Sequence, residues 1–248
     1  MVLKSLNFKH YATFFIIPFS ITIYFHLGYN VERHEHAMLG LCILGLFMAY
    51  YGMLKIKLSW VLMAVAGLLF RAIFLGHDPA LSQDFFRFIW DGRLMFKGFN
   101  PYLFTPNEII NSQVTVLAEM QTLYEGMGSL SQRNYSNYPP VHQIPGFLAA
   151  MLSDRSIFGT TVIIRLILIL ADLGILYYGR KLLGLFQMPK NTIFIYFLNP
   201  LVIIEISGNL HFEGLMVFFM LLTFYHIKQN KNCLLYTSPS PRDSVKSR

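Results

Sequence analysis

The sequence predicts an all-α fold: a polytopic transmembrane helix bundle with an extracytoplasmic amphipathic loop helix. Three observations predict it. Hydrophobic residues make up 54% of the 248-residue chain, charged residues only 13%, and the mean hydropathy is +0.47, whereas a soluble domain carries about a quarter charged residues. The apolar residues gather in runs close to the ~20 needed to cross a hydrocarbon core. Lys and Arg stand at the ends of those runs instead of forming a stripe, a pattern that marks membrane topology and excludes a nucleic-acid-binding role.

In chain order the apolar segments are 11–28, 37–54, 59–76, 157–179, 191–206 and 214–227, with a shorter seventh at 139–152. The first follows Lys4 and Lys9 without the small-residue cleavage site of a leader, so it reads as a retained span. The positive-inside bias places Lys4/Lys9, Lys55/Lys57, Arg180/Lys181/Lys190 and Lys228/Lys231 in the cytoplasm. The alternation then sends the 77–138 loop and the Ser207–Glu213 turn to one outer face, and it requires that 139–152 not cross completely. Within the loop, Phe85, Phe86, Phe88, Ile89, Leu94, Met95 and Phe96 interleave with Arg87, Asp91, Arg93 and Lys97. That is the pattern of an amphipathic helix lying in the interface plane. Gly98, Asn100 and Pro101 end it.

Residues 1–232 are expected to form the N-terminal part of a transmembrane domain with about six or seven spans in this stretch. The run Cys233–Asp243 resembles one reading frame of a transposase adapter used in sequencing libraries. Residues 233–248 are therefore read as adapter read-through, against the plainer alternative of a natural Ser/Pro-rich tail. Without them Arg242, Lys246, Arg248 and Asp243 are lost, and 17 basic against 12 acidic residues leave a net charge of +5 in place of +7. Cys42 is then the remaining cysteine, a small hydrophobe in an apolar run, so neither a disulfide framework nor a cysteine metal site is expected.

The chemistry-bearing residues are few. Asp84 stands just ahead of the loop helix, where a carboxylate suits the positive end of the helix dipole and serves as a cap as readily as a reactive group. Arg87 and Asp91 are four apart and share a helix face, a spacing common in purely structural ion pairs. Arg93 lies six beyond Arg87 and so points about 120° away from it. His211 and Glu213 follow the boundary of an apolar run, where a hydrogen-bonded interfacial histidine is as ordinary as a functional one. Asn199-Pro200 interrupts a span, as a kink does. Arg165 and Asp172, seven apart, share one helix face roughly 10 Å apart along the axis.

Read together, Ser82-Gln-Asp84-Phe-Phe-Arg87-Phe-Ile-Trp90-Asp91-Gly92-Arg93 and Gly98-Phe-Asn100-Pro101-Tyr102 resemble the first extracytoplasmic loop of the GT-C glycosyltransferases. More narrowly they resemble the polyprenyl-phosphate-mannose-dependent bacterial branch, with its Ser-x-Asp, Arg-Tyr-x-Trp-Asp-Gly-Arg and Gly-x-Asn-Pro-Tyr. Tyr138-Pro139-Pro140 and Asn199-Pro200-Leu201 follow in the same order, and Gly208–Glu213 takes the place of that branch's Gly-x-Gly-His-x-Asp. The resemblance covers about residues 60–227. Phe88 replaces the usual tyrosine, and Glu213 stands where aspartate is common.

The resemblance implies a GT-C type bundle and an integral membrane glycosyltransferase, with mannose the expected sugar, taken from a polyprenyl-phosphate donor and given to an extracytoplasmic glycan or glycolipid acceptor. The membrane implied is the bacterial inner membrane. Asp84 maps to the acidic residue near the acceptor hydroxyl. Arg87, Arg93 and His211 are the cations for the lipid phosphate, and Asp91 and Glu213 complete the expected binding set. Arg87, one turn after Asp84, is assigned to the site, and Arg93 to lipid headgroups or the Asp91 side. No cofactor and no metal-ligating residue is expected, dependence on a divalent metal stays open, and the fragment alone is expected to be inactive. Two other readings stay open: a transporter or lipid-linked sugar flippase with Arg71, Arg165, Asp172 and Glu205 along its path, and a noncatalytic assembly partner.

Overall fold

The computed structural model describes residues 2–56 and 58–229, with side chains from Phe14 onward. Lys57, Lys231 and the 233–248 tail lie outside the described residues, as do the side chains of Lys4 and Lys9. Every element among the described residues is helical. Helices α1 (Val2–Tyr29) and α2 (His36–Ile56) form a hairpin, and α3 (Trp60–Ala72) continues as a 3-10 turn to Gly76. Ser59 starts α3 by accepting the Leu62 N–H at its Oγ. The loop that follows folds into α4 (Asp84–Phe96), α5 (Pro106–Asn111), α6 (Met120–Gly126) and α7 (Gly128–Arg133), and leads to α8 (Pro140–Leu152). Helix α9 (Ile157–Leu185) is the longest element. After it come a 3-10 turn at Lys190–Ile193, α10 (Phe194–Phe197), α11 (Pro200–Val202), a π-helical stretch Ile203–Gly208 and α12 (Glu213–Lys228).

By length and composition, α2 and α9 are able to cross a membrane, and the segments Lys190–Phe197 and Pro200–Gly208 make a third span if the two halves, bent by 55°, count as one. Phe14–Tyr29 and Trp60–Gly76 are shorter apolar helices. At 13 residues, α8 extends only about 20 Å, short of a hydrocarbon core. Large apolar side chains point outward from Leu41, Leu44 and Met48 of α2, Val61 and Val65 of α3, Leu166 and Leu170 of α9, and Met216 and Phe219 of α12. Such a continuous apolar exterior has lipid as its natural solvent. Inside it Tyr24, Leu46, Phe70, Phe194 and Phe197 pack as one core.

The break at Asn199-Pro200 sets the polar architecture. Proline has no N–H, and the Leu201 N–H turns to the Asn199 Oδ1, so the Phe197 carbonyl loses its helical partner. Arg71 supplies a donor. Its Nη1 reaches the Phe197 carbonyl at 2.8 Å and the Gly67 carbonyl at 2.9 Å, its Nε pairs with Asp172 Oδ2 at 2.7 Å, and the Tyr196 hydroxyl donates to Asp172 Oδ1 at 3.0 Å. At the far end of the π stretch, Arg165 donates from Nε to the Ser207 carbonyl (2.6 Å), from Nη1 to the His77 carbonyl (2.9 Å) and from Nη2 to the Gly208 carbonyl (3.4 Å). Arg71, Arg165 and Asp172 are fully buried. Arg71, Arg165 and Asp172, named for a path in the transporter reading, instead hold the broken helix together through these contacts.

The loop helix also differs from expectation. α4 spans the residues predicted, but it does not lie open in the interface: Phe85 and all of Arg87 through Leu94 are buried. Helices α6, α8 and α9 enclose it. The tightest seam is backbone on backbone, where a Cβ on Gly92 would strike the Gly146 carbonyl and one on Gly146 the Phe88 carbonyl.

Removing one partner of a buried ion pair strands the other charge and costs about 3–5 kcal/mol. Asp172→Leu is therefore expected to unfold in detergent at a markedly lower temperature than the parent. The Arg71→Leu/Asp172→Leu double variant should recover part of the loss, the remainder being the unpaired Phe197 carbonyl. Equal melting of Asp172→Leu and parent would refute the role of the pair.

Candidate functional site

The two polar segments predicted to share a face do meet. Asp84 is the first residue of α4. It is not the cap: Gln83 precedes it in helical conformation, and the Asp84 N–H is received by Ser82 Oγ at 3.3 Å. Its side chain is about half exposed, and its Oδ2 lies 3.9 Å from His211 Nε2. Ser82 Oγ lies 3.3 Å from the same nitrogen.

His211 is set by the irregular backbone before it. The π stretch ends with the Asn209 N–H on the Ile204 carbonyl and the His211 N–H on the Glu205 carbonyl. Between them Leu210 takes a left-handed conformation, φ 62°, at a cost of about 1–2 kcal/mol for a residue with a Cβ. Full burial of Leu210 holds it there. The second glycine of the Gly-x-Gly-His pattern falls on Leu210, so the pattern's glycine answers a backbone need that leucine here meets under strain. The turn brings His211 Nδ1 to 2.8 Å from Glu205 Oε2, which also accepts from Asn209 Nδ2 at 3.2 Å. The Glu205 hydrogen bond raises the His211 pKa above the ordinary imidazole value against partial burial, with Glu213 and Asp84 adding to the rise. Glu213 sits exposed in the first turn of α12.

On the other side of Asp84 lies a polar cavity of about 300 Å³, lined by Asp84, Arg87, Ser131, Asn134, Asn137 and Tyr138, with Leu130 and Tyr135 at its rim. Burial, with the Asp84 charge added, pushes the Tyr138 phenol up to about 12, so it remains a hydrogen-bond donor. Beneath the site, Phe88, Tyr138, His142 and Phe212 stack together, the Tyr138 and His142 rings 4.6 Å apart and nearly parallel. Phe88 stands in this wholly aromatic contact, where the hydroxyl of the usual tyrosine is absent.

The remaining predicted residues are placed differently. Asp91 is sealed: it accepts from Arg87 Nε (2.9 Å), Ser136 Oγ (2.6 Å) and Gln143 Nε2 (3.1 Å), and burial still pushes its carboxyl upward against those partners. Arg87 shares that pair, and its Nη1 donates to the Ser131 and Asn134 carbonyls. Neutralised by Asp91, it has little net charge to offer a phosphate. Arg93 is 1% exposed and binds the Ala118 carbonyl, Glu119 and Thr160. It reaches neither a lipid headgroup nor Asp91, because α6 and α9 close over it. Sequence reasoning missed Glu205 as the partner of His211: six residues apart, the two stand about 120° apart on an α-helix, and the π stretch with its left-handed end joins them.

Asp84 and His211 thus lie together at one end of a bundle of apolar helices. The family model described as alpha-(1->6)-mannopyranosyltransferase, N-terminal domain, matches residues 36–238, and the chain belongs to that family. It is a membrane mannosyltransferase of the GT-C type. Neither a curated protein nor a solved structure matches the chain.

Because its folded pKa is raised, the charge of His211 is complete below the ordinary imidazole pKa and is lost only as pH climbs through the raised value. Asp84, Glu205, Glu213, Ser82 and His142 are the polar groups that face it, and only His142, when protonated, opposes the charge. Glu205→Gln should therefore move the His211 midpoint to lower pH in a histidine NMR titration. An unchanged midpoint would show that Glu205 does not hold the charge.

Proposed function

We propose that the protein transfers mannose from a polyprenyl-phosphate donor to a glycan or glycolipid acceptor outside the cytoplasm, with Asp84 as the proton acceptor. One observation carries this reading: Asp84 is a half-exposed carboxylate without a capping bond, set between a histidine and a polar cavity. A sugar hydroxyl is a poor nucleophile at neutral pH. As its oxygen bonds to the anomeric carbon, Asp84 takes the hydroxyl proton, the bond from that carbon to the phosphate oxygen breaks, and polyprenyl phosphate leaves with the bonding pair. A positioned base contributes about 10²–10⁴-fold to such a step. His211, whose pKa the Glu205 hydrogen bond raises, faces the departing phosphate, where developing negative charge needs a donor. The family's alpha-(1->6) product makes the acceptor hydroxyl a 6-hydroxyl. The apolar exterior gives the lipid donor access from the bilayer, in keeping with residence in the bacterial inner membrane.

Asp84→Asn should lower kcat about 10²–10⁴-fold while donor affinity and membrane insertion hold, measured in the intact enzyme with a lipid-linked mannose donor. Activity within a few-fold of the parent would remove Asp84 from the mechanism. Sidedness has its own check. In a Cys42→Ser background, cysteines at Val114 and Glu213, both exposed, should react with an impermeant thiol reagent from outside, and one at Lys181 should stay protected. Ser207 is fully buried and unsuitable for that experiment on either side.

A further inference from the structure

The end of the bundle away from Asp84 gathers cations that no carboxylate answers. Lys55 stands in the last turn of α2, Arg180 and Lys181 in the last turns of α9, Lys190 opens the 3-10 turn after it and Lys228 ends α12, and all five are exposed. The segments that build this end, 48–60, 177–196 and 217–229, contain neither Asp nor Glu. Near Asp84 the pattern is the reverse, since Arg87, Arg93 and Lys97 each face a carboxylate. Here aromatic rings take that place: Arg180 lies 4.5 Å from the Trp60 ring, Lys181 4.1 Å from Tyr177, Lys55 5.2 Å from Tyr51 and Lys228 5.3 Å from Phe186. A ring face holds a cation in position without neutralising it, so the charge stays available to an anion.

A groove runs up to two of these cations. It encloses about 320 Å³ between α9, the turn after it and α12, with Leu182, Leu183, Phe186, Ile193, Tyr196 and Leu221 among its almost wholly apolar walls. Lys228 sits over the Phe186 ring, and Lys190 packs on Gly184 beside Leu183, where a Cβ would meet the Lys190 Cε at 3.1 Å. Phe186 and Ile195 are more than half exposed at the rim, on the apolar exterior whose natural solvent is lipid. An apolar slot ending at two ammonium groups complements an amphiphile with an anionic head. A soluble anion would leave the slot empty, and a zwitterionic lipid would bring its own cation to the lysines.

We propose that this groove binds one anionic phospholipid, with an acyl chain along Leu182, Ile193 and Tyr196 and the phosphate between Lys190 and Lys228. The lipid is a bound component and not a substrate. Lys181 is about 24 Å along the α9 axis from Arg165, at 1.5 Å per residue, and Arg165 holds the segment just ahead of His211, so the lipid head stays remote from Asp84. Contact with Tyr196 gives the lipid an effect on the fold, because the Tyr196 hydroxyl donates to Asp172, the partner of Arg71 at the helix break. An acyl chain packed on Tyr196 fastens the bent segment from outside. The binding does not depend on what is transferred at Asp84.

The test uses the intact protein, delipidated in a neutral detergent and titrated with phosphatidylglycerol or phosphatidylcholine, with thermal unfolding and native mass spectrometry as readouts. Phosphatidylglycerol should raise the unfolding temperature and leave one lipid bound, and phosphatidylcholine should do neither. Lys190→Gln/Lys228→Gln should bind phosphatidylglycerol about 25-fold more weakly, about fivefold per lysine, while melting like the parent without lipid. Arg33→Gln, exposed beside Ala80 at the other end of the bundle, should bind like the parent. With p-benzoylphenylalanine in place of Ile195, the photo-crosslink should go to lipid. Equal shifts from the two lipids, a shift kept in the double lysine variant, the same shift from inorganic phosphate, or a crosslink from position 195 to another segment of the protein would each overturn the site.

Discussion

The end of this bundle that carries Asp84 and His211 depends on two buried arginines that donate to backbone carbonyls. A helix broken inside a hydrocarbon layer exposes peptide groups that lipid cannot satisfy, each costing several kcal/mol. Arg71 takes the carbonyl freed at the Asn199-Pro200 break, and Arg165 takes the carbonyls at the end of the π stretch. Asp172 and the Phe197 ring, 4.1 Å from the Arg71 guanidinium, compensate the first charge. With these contacts in place, irregular backbone becomes tolerable where a regular helix would be the default.

That irregularity sets the position of His211. A straight helix from 190 to 211 would place Glu205 and His211 on different faces. The π stretch and the strained Leu210 bring them within hydrogen-bonding distance and turn the imidazole toward Ser82 and Asp84 on an unrelated segment. Asp84 Oδ2 thus lies 3.9 Å from an imidazole more than a hundred residues away in the chain. The carboxylate keeps its own free surface toward the 130–138 cavity.

Much of the frame was legible. The apolar runs gave the long helices, Gly98 and Pro101 marked the end of the loop helix, and Asn199-Pro200 marked the break. The motif order pointed to Asp84 and His211. What was not legible follows from the limits of periodicity. An amphipathic pattern does not say whether its polar face meets water, headgroups or protein, and here α6, α8 and α9 cover it, so Arg87, Asp91 and Arg93 became interior. The short polar helices that form the cover carry too few residues to show a period. Glu205 stands in an apolar run, where only the transporter reading gives it a task. Its true partner is visible only once the helix leaves the α-helical repeat.

The glycine seam between α4 and α8 has a dynamic consequence. Two backbones in contact at Gly92 and Gly146 admit no side chain between them, so a slip of one residue in either direction would drive Asp91 or Arg93 into the space a glycine occupies. The two helices are therefore locked in register and must travel as one piece. The Asp84 carboxylate sits at the end of that piece and cannot be advanced or withdrawn by sliding. Any rearrangement around Asp84 has to come from the parts around the seam, the 98–138 cover and the bent segment carrying His211, with the seam itself as the fixed frame.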